Sequence, residues 1–253
     1  MAPTIILISL LIVVALLIFY KKKKKTIPLP KSSRSLLQQY VLFYQKLDKQ
    51  SKIKFEEKIQ SFLVNARIKG VNIEVDELDK LLVASSAIIP VFYFDKWTYY
   101  NLDTVLLYPG TFNKDEFLAD GYEKNTLGMI GNGPMQRIMI LSKAALHDGF
   151  INEGKNNTGI HEFVHLLDKE DGDVDGLPEA LLKRNMNSAW LDLVTKNMEA
   201  IMNGHSDINY YGASNKAEFF SVASEYFFNS PDLFERHHPE LNSIMRTIFQ
   251  VPE

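Results

Sequence analysis

The sequence predicts an α+β domain, and three observations carry that prediction. Apolar residues recur at helical spacing over most of the chain. Two compact apolar runs near its middle have the length and the bounding turns of strands. No internal repeat interrupts this pattern, and the one low-complexity tract is a run of lysines. At 253 residues, 46% of them hydrophobic and 23% charged, the chain can bury a sizeable core of ordinary globular composition.

The elements follow in order. Ala2–Tyr20 carries no charge and is almost wholly aliphatic, and Lys21–Lys25 follow it directly. A helix of that length rises about 28 Å, near the hydrocarbon thickness of a bilayer. A cleavable signal peptide places its basic residues before the apolar run, the reverse of the order here. The expectation is therefore one transmembrane helix through residues 2–20, with residues 1–25 as anchor and basic flank. The lysines lie on the cytoplasmic side, so the protein is single-pass in an inner or plasma membrane and everything after residue 25 is cytoplasmic. The lysines also suit anionic headgroups.

Residues 26–35, TIPLPKSSRS, read as a linker, and residues 36–253 as one folded domain. Leu36–Leu63 has helical spacing broken by the mostly polar stretch Asp48–Lys54, which predicts two helices. In ARIKGVNIEVDE, alternation through Val71, Ile73 and Val75 predicts a short strand, and Asp76–Ile89 predicts a helix that stops before Pro90. TVLLYPG (Thr104–Gly110) and MQRIMILSK (Met135–Lys143) are the two strand-like runs. Ala144–Phe150 reads as a short helix and GKNN (Gly154–Asn157) as a turn. Ser188–Met202 and Asn215–Phe228 read as helices, and Pro231–Phe249 holds one or two more.

Composition narrows the chemistry. The chain has no cysteine, which excludes disulfides, thiolate zinc sites and a cysteine nucleophile, and leaves His, Asp and Glu as metal ligands. Five of its 28 basic residues are the lysines of 21–25; the 23 that remain, against 31 acids, give the rest of the chain a formal charge of −8. An acidic domain without a basic stripe is not a nucleic-acid binder.

Within TGIHEFVHLLDKEDG (Thr158–Gly172), His161 and His165 stand four apart. On a helix that spacing puts both imidazoles on one face, where they can reach a single ion. Glu162, beside the first histidine, can point at a water activated by the metal and take its proton, the general-base role of metallopeptidase chemistry. Ile160, Val164, Leu166 and Leu167 supply an apolar helix surface that buries the segment.

The third ligand has more than one candidate. A continuation HExxHxxGxxH would need Gly at 168 and His at 171, where this chain has Asp168 and Asp171. Asp171 could still serve as a ligand, but the chain lacks the glycine that turns it back toward the ion. A gluzincin-like site takes a glutamate from a later helix, and NKAEFFSVASEYFF offers Glu218 and Glu225, seven apart on an otherwise apolar face. Asn215 to Glu218 also has the spacing of a helix capping box, which would account for Glu218 without a metal. Spacing does not choose between these.

At these residues the chain resembles the Mlc titration factor A family of bacterial zinc-dependent peptidases, whose catalytic core is similar to that of anthrax lethal factor. The resemblance covers most of residues 36–250. Its pieces are FLVNARIKGVNIEV with the helix and IIPVF after it, VLLYPGTF, GIHEFVHLLDKEDGDVDGLP, and YGASNKAEFFSVASEYFFNSPDLF. It implies a zincin-like domain in which His161, His165 and Glu218 hold Zn2+ and Glu162 is the catalytic base. Tyr211 is then the donor to the oxyanion, with Tyr210 as its stand-in. Glu225 and Asp168 become candidates for orienting the imidazoles. MQRIMILS becomes the edge strand that receives an extended peptide. Lys143 stands where the family commonly has an aromatic residue, which bears on substrate preference.

The function implied is a membrane-anchored, gluzincin-like zinc metallopeptidase that hydrolyses peptide bonds of a peptide or protein substrate. The alternative is a regulatory module that binds and sequesters a repressor-type protein partner and has only a weak zinc site. Glu162 favours the enzyme, because holding zinc does not require a carboxylate there. A structural zinc site is disfavoured because such sites usually close with four protein ligands, several of them thiolates. His147, His205, His237 and His238 read as surface or loop histidines.

Overall fold

A computed structural model of the chain describes residues 28–111, 127–131, 136–152, 154–182 and 186–252. The expected membrane helix and its lysine flank lie outside these residues. Among the described residues, no helix is long and apolar enough to cross a membrane.

The described part is a mixed α+β fold with a four-stranded sheet. The first helical stretch divides into α1 (Ser33–Tyr40), α2 (Leu42–Lys46) and α3 (Lys49–Asn65), one more helix than the spacing predicts. The extra break falls at Val41, whose extended backbone (φ −112°, ψ 95°) interrupts the helix while its side chain stays in the core. Asp48 starts α3 by accepting from the amides of Gln50 and Ser51. The first strand, β1, is Arg67–Gly70 and not the alternating segment after it, which runs on as a bend. Arg67–Gly70 pairs with the middle of the sheet, and that pairing outweighs the local alternation. Helix α4 (Glu77–Ile88) ends before Pro90, as expected, and it begins with a reciprocal capping box between Asp76 and Asp79.

Strand β2 (Thr104–Tyr108) lies between β1 and β4 (Ile138–Ser142), parallel to both. Strand β3 (Gly128–Ile130) runs antiparallel to β4, giving the order β1-β2-β4-β3. This corrects the expectation for MQRIMILS: β4 is an interior strand, and β3 stands at the edge. Ser142 closes β4 and caps α5 (Lys143–Ile151). Helix α6 (Thr158–Asp168) carries the two histidines, and its first turn is capped by the fully buried Asn157. After it come α7 (Asn187–Met202), a short 3-10 turn at Tyr210–Ala213, α8 (Lys216–Asn229), α9 (Pro231–His237) and α10 (Pro239–Ile248). Helix α6 packs on α8, on α4 and on β3, so the histidine helix lies between the glutamate helix and the sheet edge. Phe163 and Leu167 on its other side join Phe62, Tyr99 and Leu82 in the core.

Candidate metal centre

Helices α6 and α8 bring three side chains to one point. His161 Nε2 lies 3.0 Å from Glu218 Oε2, His165 Nε2 lies 3.3 Å from the same oxygen, and the two Nε2 atoms are 3.1 Å apart. Among the described residues, no other group of three His, Cys, Asp or Glu side chains converges in this way. A tetrahedral zinc about 2.0–2.1 Å from each donor would hold the donors about 3.3 Å from one another, so the observed spacing suits that ion.

The face of α8 toward α6 reads Glu218, Ser221, Glu225, an i, i+3, i+7 series. Glu218 stands where both Nε2 atoms reach it. Two turns further on, Glu225 lies behind His161: its Oε1 is 2.6 Å from Nδ1 and its Oε2 accepts the Asn157 amide at 2.5 Å. Ser221 Oγ is 3.1 Å from His165 Nδ1. Each imidazole thus has Nδ1 occupied by a neighbour and Nε2 turned inward, the orientation a metal ligand needs. The capping reading of Glu218 is half right. Asn215 Oδ1 accepts the Glu218 amide at 2.9 Å, while the Glu218 side chain turns to the histidines and not back to the cap.

The electrostatics favour positive charge at this point. Three carboxylates (Glu162, Glu218, Glu225) meet two imidazoles in a largely buried space. Burial opposes charge on His161, but the carboxylates of Glu225 and Glu218 outweigh it and hold its pKa well above the ordinary range. Burial likewise opposes the Glu218 carboxylate, and the hydrogen bonds of His161 and His165 pull its pKa below normal. Glu162 is 6% exposed, and burial raises its pKa, which suits a group that must take up a proton and pass it on.

These residues open onto a cleft of about 920 Å³. Its floor is the histidine helix, one wall is β3 and another is the start of α8. Tyr211 lines it, half exposed, with its ring 6.2 Å from that of His161; Tyr210, 72% exposed, is outside the lining. Gly128 of β3 lies directly over Glu162: a Cβ there would sit 2.5 Å from Glu162 Cγ and Oε1.

Other expectations change. Asp168 does not orient an imidazole through a hydrogen bond; its Oδ2 accepts the Gly176 amide at 2.8 Å. Lys143 is not in the cleft lining but bonds the fully buried Asp79 at 2.7 Å, beside His147 at 2.7 Å. His237 is exposed, as expected, and both it and the partly buried His238 bond Asp207. The sequence reading missed Ser221 and Gly128. Ser221 was legible from its place between Glu218 and Glu225, whereas Gly128 sits in GMIGNGP, which carries no local signal of its partner.

The chain is similar to known proteins over most of its length. The family model described as glucose-regulated metallo-peptidase M90 matches residues 18–250. An uncharacterized protein of Synechocystis sp. is 30% identical over 235 residues, covering 88% of this chain and 84% of its own. Proteins named Mlc titration factor A are similar as well. That of Cronobacter sakazakii is 29% identical over 66% of each chain, and that of Escherichia coli 28% identical over 77% of each.

Proposed function

The chain belongs to the glucose-regulated metallo-peptidase M90 family, and from that premise we propose that it is a zinc-dependent peptidase with His161, His165 and Glu218 as ligands. The observation that carries this reading is the convergence of His161 Nε2, His165 Nε2 and Glu218 Oε2 at 3.0–3.3 Å beside a buried glutamate in an open cleft. Zinc, when bound, supplies Lewis acidity toward a carbonyl and makes water a better nucleophile at neutral pH.

The remaining steps belong to the chain's own residues. A peptide lies extended along β3, pairing with its outer edge by main-chain hydrogen bonds. Glu162, next to Gly128 on that strand, takes the proton of the attacking water and delivers it to the leaving amine. Tyr211, at the cleft wall, donates to the carbonyl oxygen as charge builds on it. Glu225 and Ser221 hold the imidazole planes through Nδ1. We further propose that residues 2–20 anchor the protein in a membrane with residues 26–253 on the cytoplasmic side, as their apolar length and the lysines after them indicate.

One observation favours a second reading. Several relatives bear the name Mlc titration factor A, which suggests that this chain too binds a repressor protein, through or beside the peptidase site. The test is hydrolysis of a broad peptide library by the purified full-length protein and by Glu162→Gln and Tyr211→Phe, all with equal bound zinc. The peptidase reading expects cleavage by the wild type, none by Glu162→Gln, and a lowered kcat in Tyr211→Phe. Zinc bound without cleavage by any of the three would leave the binding module.

A further inference from the structure

The acidic turn after the histidine helix, KEDGDVDG (Lys169–Gly176), supplies no ligand to the site, yet its last residue touches the glutamate helix. We infer that Gly176 is a positioning residue that sets where the first turn of α8 stands, and through it the Glu218 carboxylate; this rests on the reading of Glu218 as the third zinc ligand.

Both peptide groups of Gly176 are held by buried side chains. Its amide donates to Oδ2 of the fully buried Asp168 at 2.8 Å, at the end of α6 and three residues beyond His165. Its carbonyl accepts from Nε1 of the fully buried Trp190 at 2.7 Å, on α7. The residue has φ +76°, and a Cβ on it would sit 2.3 Å from the Lys216 carbonyl carbon and oxygen and 2.7 Å from the Ala217 nitrogen. These are backbone atoms of α8, immediately before Glu218, and they cannot swing aside as a side chain could. The Trp190 ring that holds Gly176 also packs on Phe219 and Phe220, the two residues after Glu218.

The glutamate is therefore clasped from both sides, and the clasp is tied through Asp168 to the helix that bears the two histidines. Donor spacing between α6 and α8 is set by how closely Gly176 lets the two approach. A metal site is sensitive to such support, with losses of about 10- to 100-fold in affinity when it is removed.

The same turn contains its own control. Gly172 also has a positive φ, +118°, but a Cβ there meets nothing within 4 Å. Gly172→Ala and Gly176→Ala both impose left-handed strain, and only the second presses on α8.

The experiment measures the zinc Kd of the full-length protein by chelator competition, and thermal unfolding without zinc, for Gly176→Ala, Gly172→Ala and Glu218→Gln. The expected result is a zinc Kd about 10- to 100-fold weaker in Gly176→Ala, wild-type affinity in Gly172→Ala, and loss of tight binding in Glu218→Gln. Wild-type affinity in Gly176→Ala, with Glu218→Gln impaired, overturns the positioning role and leaves the ligand reading intact. Wild-type affinity in Glu218→Gln overturns both. Should Gly176→Ala fail to fold, Asp168→Ala decides, because it releases the Gly176 amide without adding an atom; weakened zinc binding there supports the inference and unchanged binding overturns it.

Discussion

Gly128→Ala tests the general base separately from the metal. The added methyl would stand 2.5 Å from Glu162 Cγ and Oε1 and 2.7 Å from Cδ, where ordinary contact begins at 3.4 Å. Something must therefore move by about 1 Å, and Glu162, whose flexible end supplies the clashing atoms, gives way more easily than a strand hydrogen-bonded along β4. A misplacement of about 1 Å in a reacting group costs on the order of 100-fold in rate, about 2.7 kcal/mol of activation free energy. The three atoms nearest to the added methyl all belong to Glu162, and none to a histidine or to Glu218. The expected outcome is a kcat about 100-fold lower for peptide hydrolysis, with zinc content and zinc Kd at wild-type values. A wild-type kcat at full zinc occupancy would refute the reasoning, because the base could not then lie under Gly128 in the working enzyme. Loss of zinc together with activity would also count against it, since the strand would then be supporting the ligands.

Three further substitutions probe the support of the site and of the fold. Glu225→Ala frees Nδ1 of His161 and the Asn157 amide together, and zinc affinity should fall about 10- to 100-fold by chelator competition; an unchanged affinity would leave Glu225 as packing alone. Lys143→Met takes the lysine from the buried Asp79 carboxylate and leaves it the hydrogen bonds of His147 and the Asp76 amide, and should cost about 2–3 kcal/mol in urea unfolding at pH 7. Its kcat should be unaltered, because Lys143 does not line the cleft; a fall in kcat would return Lys143 to substrate selection. Burial alone would raise the Asp79 pKa, but the bonds from Lys143, His147 and the Asp76 amide bring it below the ordinary carboxylate value. A depressed pKa stabilises the fold above the unfolded value near 4, and that stability is lost as pH falls through the folded value. The stability difference between wild type and Asp79→Asn should therefore be full at pH 7 and shrink below about pH 4; a difference independent of pH would exclude the charge as its source.

Some of the architecture was legible from local pattern because local forces decide it. The capped start of α4 and its stop before Pro90, the strand at Thr104–Tyr108 and the helix at Lys216–Asn229 all follow from caps, proline and periodicity. Strand order did not follow. MQRIMILS has the apolar run of a strand whether it lies inside the sheet or at its edge, and β3 is only three residues long. Nor does a lysine after Ser142 announce that it will turn inward to Asp79, 64 residues earlier in the chain.

By itself the sequence determined the chemistry available: two histidines on one helical face, a carboxylate beside the first, two glutamates on a later helix and no thiol. Those are matters of residue type and of spacing within single helices, where the period of the backbone sets which side chains share a face. Only the tertiary structure decided which glutamate turns to the histidines and which stands behind one of them, because that depends on how far α8 is slid along α6. It likewise decided that Gly128 covers Glu162 and that Gly176 bears on the turn before Glu218. Such contacts join residues far apart in the chain through close packing, and neither partner carries a local mark of the other.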